Sequence, residues 1–151
     1  MRGVFQLLVR NMFTEDLEAC AEIYMDAYSK EPWNENYDYE KVKKYLARFV
    51  SGNTYAGWVI LEENQIVGFV LGVIIPCIEN DYFRIEDFCV RPEMQRKGIA
   101  GELLKKISLA LRGKCIDSIM LNTVKGFPAY KFYLKNGFEE IESSSTMILE
   151  I

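Results

Sequence analysis

The stretch that decides the fold is Val90-Arg91-Pro92-Glu93-Met94-Gln95-Arg96-Lys97-Gly98-Ile99-Ala100-Gly101. Its pattern predicts the end of a strand, a sharp turn, and the start of a helix that contains small residues. A helix start presents unpaired N–H groups and the positive end of the helix dipole, so this turn can hold a diphosphate, with Arg96 and Lys97 adding positive charge. The alternative is a solvated basic turn with incidental glycines, because short glycine patterns are common. The motifs GxxxxGK[ST] and GxGxxG are both absent, which argues against NTPase and dinucleotide sites.

The residues before this turn carry alternating strand and helix patterns. Val4 to Arg10 predicts a first strand, and Thr14 is a candidate N-cap for a helix whose apolar spacing runs to Tyr28. Asp38 can cap a second helix that ends at Gly52. Three β-rich runs follow and predict a mostly antiparallel meander: Tyr55 to Leu61, Ile66 to Ile75, and Phe83 to Val90.

After the turn, Met94 to Arg112 carries a broad apolar helical stripe, which Gly113 ends. The remaining predicted elements are a strand from Ile116 to Leu121, a short helix from Pro128 to Lys135, and closing strands at Phe138 to Glu142 and Thr146 to Ile151. This order predicts an α/β (α+β) fold in which about four helices flank a mixed, mostly antiparallel twisted sheet. The length suits one compact domain over residues 1–151.

Composition excludes several classes of function. The net charge is −4 and no stretch gathers basic residues, which argues against nucleic-acid binding. The four cysteines lack CxxC spacing and predict neither a zinc site nor a disulfide framework, so a reducing, cytoplasmic location fits best. No apolar run is long enough to cross a membrane. Histidine is absent, which removes Ser-His-Asp and Cys-His nucleophiles and every His-based metal site, and we expect no metal.

Two motifs in the expected order carry a resemblance to a known family. Gln95-Arg96-Lys97-Gly98-Ile99-Ala100 resembles the Q/R-x-x-G-x-G/A signature of the GNAT superfamily of N-acetyltransferases, and Phe88-Cys89-Val90-Arg91-Pro92 resembles the strand end before it. Further on, Ala129-Tyr130-Lys131-Phe132-Tyr133-Leu134-Lys135-Asn136-Gly137-Phe138 resembles the A-x-x-F-Y-x-x-x-G-F segment of the last helix. The order of elements resembles that fold across nearly the whole chain. One departure is Gly126, where the superfamily often has Asn.

The resemblance implies acetyl-CoA as co-substrate. The main chain of Phe88 to Val90 would pair with the pantetheine arm like an added strand, and the amides from Arg96 to Gly101 would hold the pyrophosphate. Asn122 would contact the cofactor arm, although it also suits a turn at the end of a strand. The implied cofactor-binding residues are therefore Phe88, Cys89, Val90, Gln95, Arg96, Lys97, Gly98, Ile99, Ala100, Gly101 and Asn122.

Amide formation from a thioester needs a general acid for the leaving thiolate and a base for the amine. Tyr133 matches the superfamily tyrosine near the cofactor sulfur; its alternative role is a packed aromatic on a short helix. Glu86 lies in an apolar strand and is the predicted base, with Asp87 in reserve because a bulge would reverse their facing. The alternative for Glu86 is a partner for Arg84. No His or basic cluster is available in sequence to lower the pKa of Cys89, and the resemblance implies direct transfer in a ternary complex.

The resemblance places the acceptor site on the loop between the first two helices. That loop carries acidic and aromatic side chains, of which Tyr28, Trp33 and Glu35 are the predicted substrate contacts, with Glu31 and Tyr37 nearby. Carboxylates beside aromatic faces suit a cation, so the expected acceptor is a small polyamine-like molecule, an amino sugar or a peptide amine. A non-catalytic acyl-CoA-binding module and an interaction protein are the rival predictions. The superfamily often pairs subunits, which leaves a homodimer open.

Overall fold

The computed structural model describes residues 6–151, and its elements follow the predicted order closely. The strands are β1 Leu7–Asn11, β2 Tyr55–Glu62, β3 Gln65–Ile75, β4 Tyr82–Val90 and β5 Ile119–Met120. The helices are α1 Leu17–Ser29, α2 Tyr39–Val50, α3 Ile99–Arg112 and α4 Pro128–Lys135. No helix within residues 6–151 combines the length and the hydropathy that a membrane span requires.

One five-stranded sheet organises the chain in the spatial order β1-β2-β3-β4-β5. The first four strands form an antiparallel meander, and β5 joins β4 in parallel after the α3 crossover. Short connections join β2 to β3 and β3 to β4, whereas β1 is separated from its neighbour β2 by α1 and α2. The predicted mixed, mostly antiparallel sheet with four helices is confirmed.

Helices cover both faces of the sheet, and each face has its own apolar core. On one face α3 packs Leu103 and Ile107 against Trp58 and Phe83. On the other face α1 and α2 pack Ile23 and Leu46 against Phe69, among other residues. The side chains of β2 contribute to both cores, because adjacent residues of a strand point to opposite faces of the sheet.

The N-terminal half differs from prediction in one helix cap. Asp38 accepts a hydrogen bond from the amide of Lys41 at 3.0 Å and caps α2 as expected. Thr14 makes no side-chain cap; instead the Asp16 carboxylate accepts from the amide of Phe13 at 2.8 Å and pairs with Arg10 at 2.7 Å. A charged carboxylate is a stronger hydrogen-bond acceptor than the neutral hydroxyl of Thr14. The part of the predicted first strand at positions 4 and 5 lies outside the described residues.

The predicted helix start at Met94 is wrong by five residues. Pro92–Met94 forms a short 3-10 turn, and α3 begins only at Ile99. Between them Arg96 has φ 63° and Gly98 has φ 80°, both in the left-handed region that ends helical continuity. The turn is therefore sharper than the helical pattern alone indicates.

The three strands predicted near the C-terminus are mostly absent as strands from the described chain. Of the run Ile116 to Leu121, only Ile119 and Met120 pair with β4. Residues 138–142 and 146–151 form no strand, although both runs have suitable side chains. Residues 139–151 are all exposed to solvent, so these runs lack a neighbouring strand on which to pair.

Candidate active site

The edge of β4 beyond its short pairing with β5 is open. The two strands pair only at Phe83 with Ile119 and at Arg84 with Met120, and β5 then ends. The other edge of β4 is paired with β3 along its length. Among residues 6–151, no strand lies beside the β4 edge from Glu86 to Val90, so that edge is available to an extended ligand.

The turn that follows β4 presents a row of free amides. Within the described chain, the amides of residues 96–101 donate no hydrogen bond, and the first amide of α3 that does so belongs to Glu102, which donates to Gly98 at 3.0 Å. Nothing lies within 4 Å of the position that a Cβ on Gly98 would occupy. The side-chain amide of Gln95 donates to the carbonyl of Val90 at 3.2 Å and fixes the turn to the strand. The exposed side chains of Arg96 and Lys97 leave the amides uncovered.

A β-bulge in β4 decides how its two carboxylates are placed. Asp87 pairs with Leu71 and Ile85 pairs with Gly72, so Glu86 is an extra residue with no partner on β3. Simple alternation, which sends the two carboxylates to opposite faces, therefore does not hold here. Both act on Tyr45 of α2, whose pKa is raised first by burial, then by its hydrogen bond to Asp87 and by the charges of Asp87 and Glu86.

The two carboxylates have different partners. Glu86 is half-buried and forms an ion pair with Arg84 at 2.5 Å, as the alternative interpretation anticipated. Asp87 is only 4% exposed and accepts a hydrogen bond from the Tyr45 hydroxyl at 2.6 Å. Burial raises the pKa of Asp87 to about 6, against the lowering effect of that hydrogen bond, and the charge of Glu86 raises it further. Asp87 therefore titrates close to neutral pH.

Asp87 lies beneath a cluster of tyrosines that α1 and α2 supply. The ring of Tyr24 lies 4.5 Å from Tyr28 and 5.9 Å from Tyr45 between centroids. Burial raises the pKa of Tyr24 and of Tyr28, and the charge of Asp87 contributes to both shifts. The hydroxyls stay protonated at neutral pH, so the cluster combines one buried negative charge with several aromatic faces.

Tyr133 reaches the same region from α4. Its ring lies 6.4 Å from Phe88 and 5.2 Å from Phe138, and it is half-buried. Burial raises the pKa of Tyr133, with smaller contributions from Cys89 and Asp87 on β4. The phenol therefore keeps its proton at neutral pH and can donate it.

The loop after α1 closes one side of the tyrosine cluster. Trp33 packs edge-on against Tyr28 at 5.2 Å and against Phe127 at 5.8 Å, which joins this loop to the segment before α4. Glu35 is exposed, and its amide donates to the carbonyl of Tyr28 at 2.8 Å. The predicted substrate residues Tyr28, Trp33 and Glu35 therefore belong to one local structure, whereas Asn122 is exposed past the end of β5 and makes no side-chain hydrogen bond within residues 6–151.

Sequence reasoning missed Tyr24, Tyr45 and Phe127. Tyr24 and Tyr45 occupy positions in the apolar stripes of α1 and α2, a pattern that by itself predicts core residues. The available signal was the spacing of Tyr24 and Tyr28, which places two phenols one turn apart on the same side of α1. Cys89 on β4 is buried in the core on the α1 face of the sheet, and burial raises its pKa well above the ordinary value, as its apolar sequence surroundings predict.

Comparison with known proteins shows which family model matches the sequence and which solved structures share the fold. A sequence model described as the acetyltransferase (GNAT) family matches residues 17–138. No curated protein matches the chain. A possible acetyltransferase from Clostridium difficile 630 has a similar structure, with a TM-score of 0.82 and 17% identity over 96% of this chain and 98% of that one.

Two aminoglycoside acetyltransferases are also similar in structure. The aminoglycoside N-acetyltransferase AAC(6')-Iy in complex with CoA aligns with a TM-score of 0.75 and 15% identity, over 100% of this chain and 97% of that one. The enzyme meta-AAC0020 from an uncultured soil metagenomic sample, in complex with sisomicin, aligns with a TM-score of 0.69 and 18% identity over 96% and 93%. At such identities the likeness concerns the fold.

Proposed function

Because the chain belongs to the GNAT family of acetyltransferases, we propose that it moves an acetyl group from acetyl-CoA to a primary amine on a small cationic molecule. The amine attacks directly in a ternary complex. The observation that carries this proposal is the arrangement along β4: an unpaired strand edge leads from free amides at residues 96–101 to a buried carboxylate beneath tyrosines. A donor site and a cation site thus share one strand.

The donor end suits acetyl-CoA. Six consecutive free amides at the start of a helix match a pyrophosphate, since they supply hydrogen bonds and the positive end of a dipole. The unpaired edge at Phe88, Cys89 and Val90 suits the amide-containing pantetheine arm. Gln95 positions the turn through Val90, while Arg96 and Lys97 add charge near the phosphates, and Asn122 lies past the end of β5.

The acceptor end suits a cationic amine. Aromatic faces attract a cation, and a buried carboxylate does so more strongly because little water screens it. Asp87 supplies that charge within the rings of Tyr24, Tyr28 and Tyr45, and Glu35 adds an exposed carboxylate at the rim. Two of the similar proteins named above are aminoglycoside acetyltransferases, which favours a small polyamine or amino sugar over a peptide amine.

Two side chains carry the proton transfers in this proposal. Glu86 takes the proton of the attacking amine, directly or through water, because it is more accessible than Asp87 and lies beside it. Tyr133 donates its proton to the departing thiolate, which its raised pKa permits at neutral pH. Cys89 stays a thiol inside the core and takes no covalent part.

The test is thermal unfolding with and without acetyl-CoA, followed by thiol release in the presence of amines, peptides and aminoglycosides. Acetyl-CoA at a hundred times its Kd should raise Tm by roughly 5–10 °C for a chain of this size. Tyr133→Phe should keep that rise and lower thiol release by about 100-fold. A rise without thiol release on any amine would favour the non-catalytic acyl-CoA-binding module, and no rise would contradict the donor site.

A further inference from the structure

An ion pair holds the carboxylate that the proposed mechanism uses as base. The Nε–H group of Arg84 donates to the Oε1 atom of Glu86 at 2.5 Å, and the two side chains are 41% and 28% exposed. Because the two residues are two positions apart on one strand, their side chains point to the same face of the sheet. The guanidinium therefore covers part of the carboxylate that an attacking amine has to reach.

The pair lies on the face of the sheet that carries the tyrosine cluster. Phe83 and Ile85 point into the core beneath α3, so Arg84 between them points to the opposite face, towards α1 and α2. Asp87 lies on that face as well, because it accepts the hydrogen bond of Tyr45 on α2. At neutral pH, two carboxylates and one guanidinium leave this part of the proposed acceptor site with a net negative charge.

Arg84 also marks the place where the open edge of β4 begins. It is paired with Met120, the last residue of β5, and beyond that pair no strand within residues 6–151 lies beside this edge. Glu86 follows at the start of the open edge, and the bulge leaves it without a partner on β3. The main chain of Arg84 is thus held on both sides, whereas the carboxylate it contacts belongs to a residue that no neighbouring strand pairs.

The ion pair offsets a repulsion between the two carboxylates. The charge of Glu86 disfavours the charged form of Asp87 and adds to the rise in the pKa of Asp87. A cation beside Glu86 relieves that repulsion, and Arg84 is the chain's own cation at this position. Both side chains of the pair reach water, so the guanidinium can leave without burying an unpaired charge, and exposed ion pairs are weak. An ammonium group of an acceptor has the same charge and can take its place.

We propose that Arg84 is a positioning residue that occupies Glu86 until a cationic acceptor displaces it. The ammonium group takes over the contact with the carboxylate, and the guanidinium turns into solvent. The base is thereby uncovered only by a molecule that carries a positive charge, whereas a neutral molecule leaves the ion pair closed. This inference rests on the proposed function, because it concerns the residue proposed there as base.

Displacement can be followed on the guanidinium itself, without any measurement of turnover. In a proton–nitrogen correlation NMR spectrum of the full chain, the Nε–H signal of Arg84 is assigned by its loss in Arg84→Gln. Titration with 1,4-diaminobutane should move this signal to the position of a solvated arginine such as the exposed Arg48. The neutral analogue 1,4-butanediol should leave it in place. A signal that the diamine does not move, or that the diol moves equally, would overturn the proposal.

Kinetics test the same displacement in the reaction. Arg84→Gln removes the competing charge, so the KM for 1,4-diaminobutane should fall by roughly 2-fold to 5-fold, the range that an exposed ion pair contributes, while kcat changes less. Arg84→Lys keeps the charge and should restore the KM of the parent. Arg48→Gln is the matched control, because it removes the same charge from an exposed position one turn after Tyr45 on α2 and should leave the KM unchanged.

The outcomes separate this inference from the proposed function. An unchanged or higher KM in Arg84→Gln, with the amine still acetylated, would overturn the displacement and leave the transferase standing. If the diamine moves the Arg84 signal but no amine releases thiol from acetyl-CoA, the displacement is supported and the proposed function is contradicted. Thermal unfolding of each variant shows whether the fold is intact, and the NMR titration of the parent chain decides the proposal independently of the variants' stability.

Discussion

The buried carboxylate of Asp87 makes the stability of the protein depend on pH. Its carboxylate is 4% exposed and its pKa is raised to about 6. An ordinary carboxyl group has a pKa near 4. Between about pH 4 and pH 6, the folded state therefore holds a proton on Asp87 that the unfolded state has released. The free energy of unfolding therefore falls as pH rises through this window. Above pH 6 the charged carboxylate costs on the order of 3 kcal/mol relative to its neutral form.

Asp87→Asn should accordingly stabilise the protein and weaken acceptor binding. We expect a higher Tm at pH 7, and a difference from the parent that shrinks as pH falls towards 4. The KM for a cationic amine should rise by roughly 10-fold to 100-fold, because a charged hydrogen-bonded contact contributes about 1.5–3 kcal/mol. In the parent, kcat/KM for the amine should fall below pH 6, where Asp87 is neutral. This acidic limb of the pH profile should be absent in the variant.

Glu86→Gln is the matched comparison for that experiment. Because Glu86 is the proposed base, its replacement should lower kcat by about 100-fold or more, with little change in the KM for acetyl-CoA. The fall in kcat/KM for the amine below pH 6 should remain in this variant, because Asp87 is still present. If the two variants exchanged these effects, Asp87 would be the base, and unchanged turnover in Glu86→Gln would exclude Glu86.

At the scale of the element, the bulge in β4 sets the position of both carboxylates, and Gly72 on β3 allows it. A Cβ at Gly72 would overlap the carbonyl oxygen of Arg84, since β3 and β4 approach closely where the register shifts. Glu86 and Asp87 follow directly on the same strand. The spacing of the two strands at this glycine therefore controls the geometry of the site.

Gly72→Ala should disturb β4 and the site together. The inserted methyl group has to push the Arg84 main chain away, so we expect a loss of about 1–3 kcal/mol in the free energy of unfolding and a marked fall in turnover. Chemical unfolding and acceptor kinetics measure the two effects. Gly113→Ala is the control, because Gly113 lies at the end of α3 with φ −61° and its added Cβ meets only nearby helix carbonyls. Equal effects from both variants would refute a special role for Gly72.

The sequence predicted regular elements well and predicted irregular backbone poorly. The meander, α2 and α4 follow from hydrophobic period and capping residues such as Asp38, which act locally. The bulge at Glu86 depends on how β3 and β4 fit each other, so no residue pattern in β4 alone reveals it. Likewise the left-handed Arg96 delays the start of α3 to Ile99, although the apolar stripe continues through it.

At the scale of the whole molecule, the two cores divide the cysteines into two classes. Cys20 on α1 and Cys89 on β4 are buried in the core on the α1 face of the sheet, whereas Cys77 and Cys115 are exposed. Burial raises the pKa of Cys20 to about 12 and that of Cys89 well above its ordinary value. The closed core on this face of the sheet therefore protects two thiols both sterically and electrostatically.

Alkylation of the folded chain with iodoacetamide should therefore modify two thiols, and alkylation in denaturant should modify four. Intact mass spectrometry counts the added groups. The variant Cys77→Ser, Cys115→Ser should resist alkylation when folded and should retain thioester-to-amine transfer, since the proposed reaction uses no thiol of the protein. A third modified thiol in the folded parent, or loss of transfer in the variant, would oppose this account.

The sequence predicts the two ends of the candidate site to different extents. The proposed donor end follows from a contiguous motif, so Gln95 to Gly101 and Tyr133 are predictions that the sequence alone can make. The acceptor end brings together side chains from α1, α2, β4 and the segment before α4. Tyr24, Tyr45 and Phe127 look like core residues until the fold places them beside Asp87 or Trp33.

That difference between the two ends also bears on how such a protein can change over generations. The free amides at residues 96–101 belong to the main chain, and most substitutions there leave an N–H group in place. The tyrosines around Asp87 contribute side chains, so an amino-acid replacement there alters the proposed acceptor surface directly. Under the proposed function, descendants of this chain can therefore diverge in the amine that they recognise while they inherit the same acyl donor.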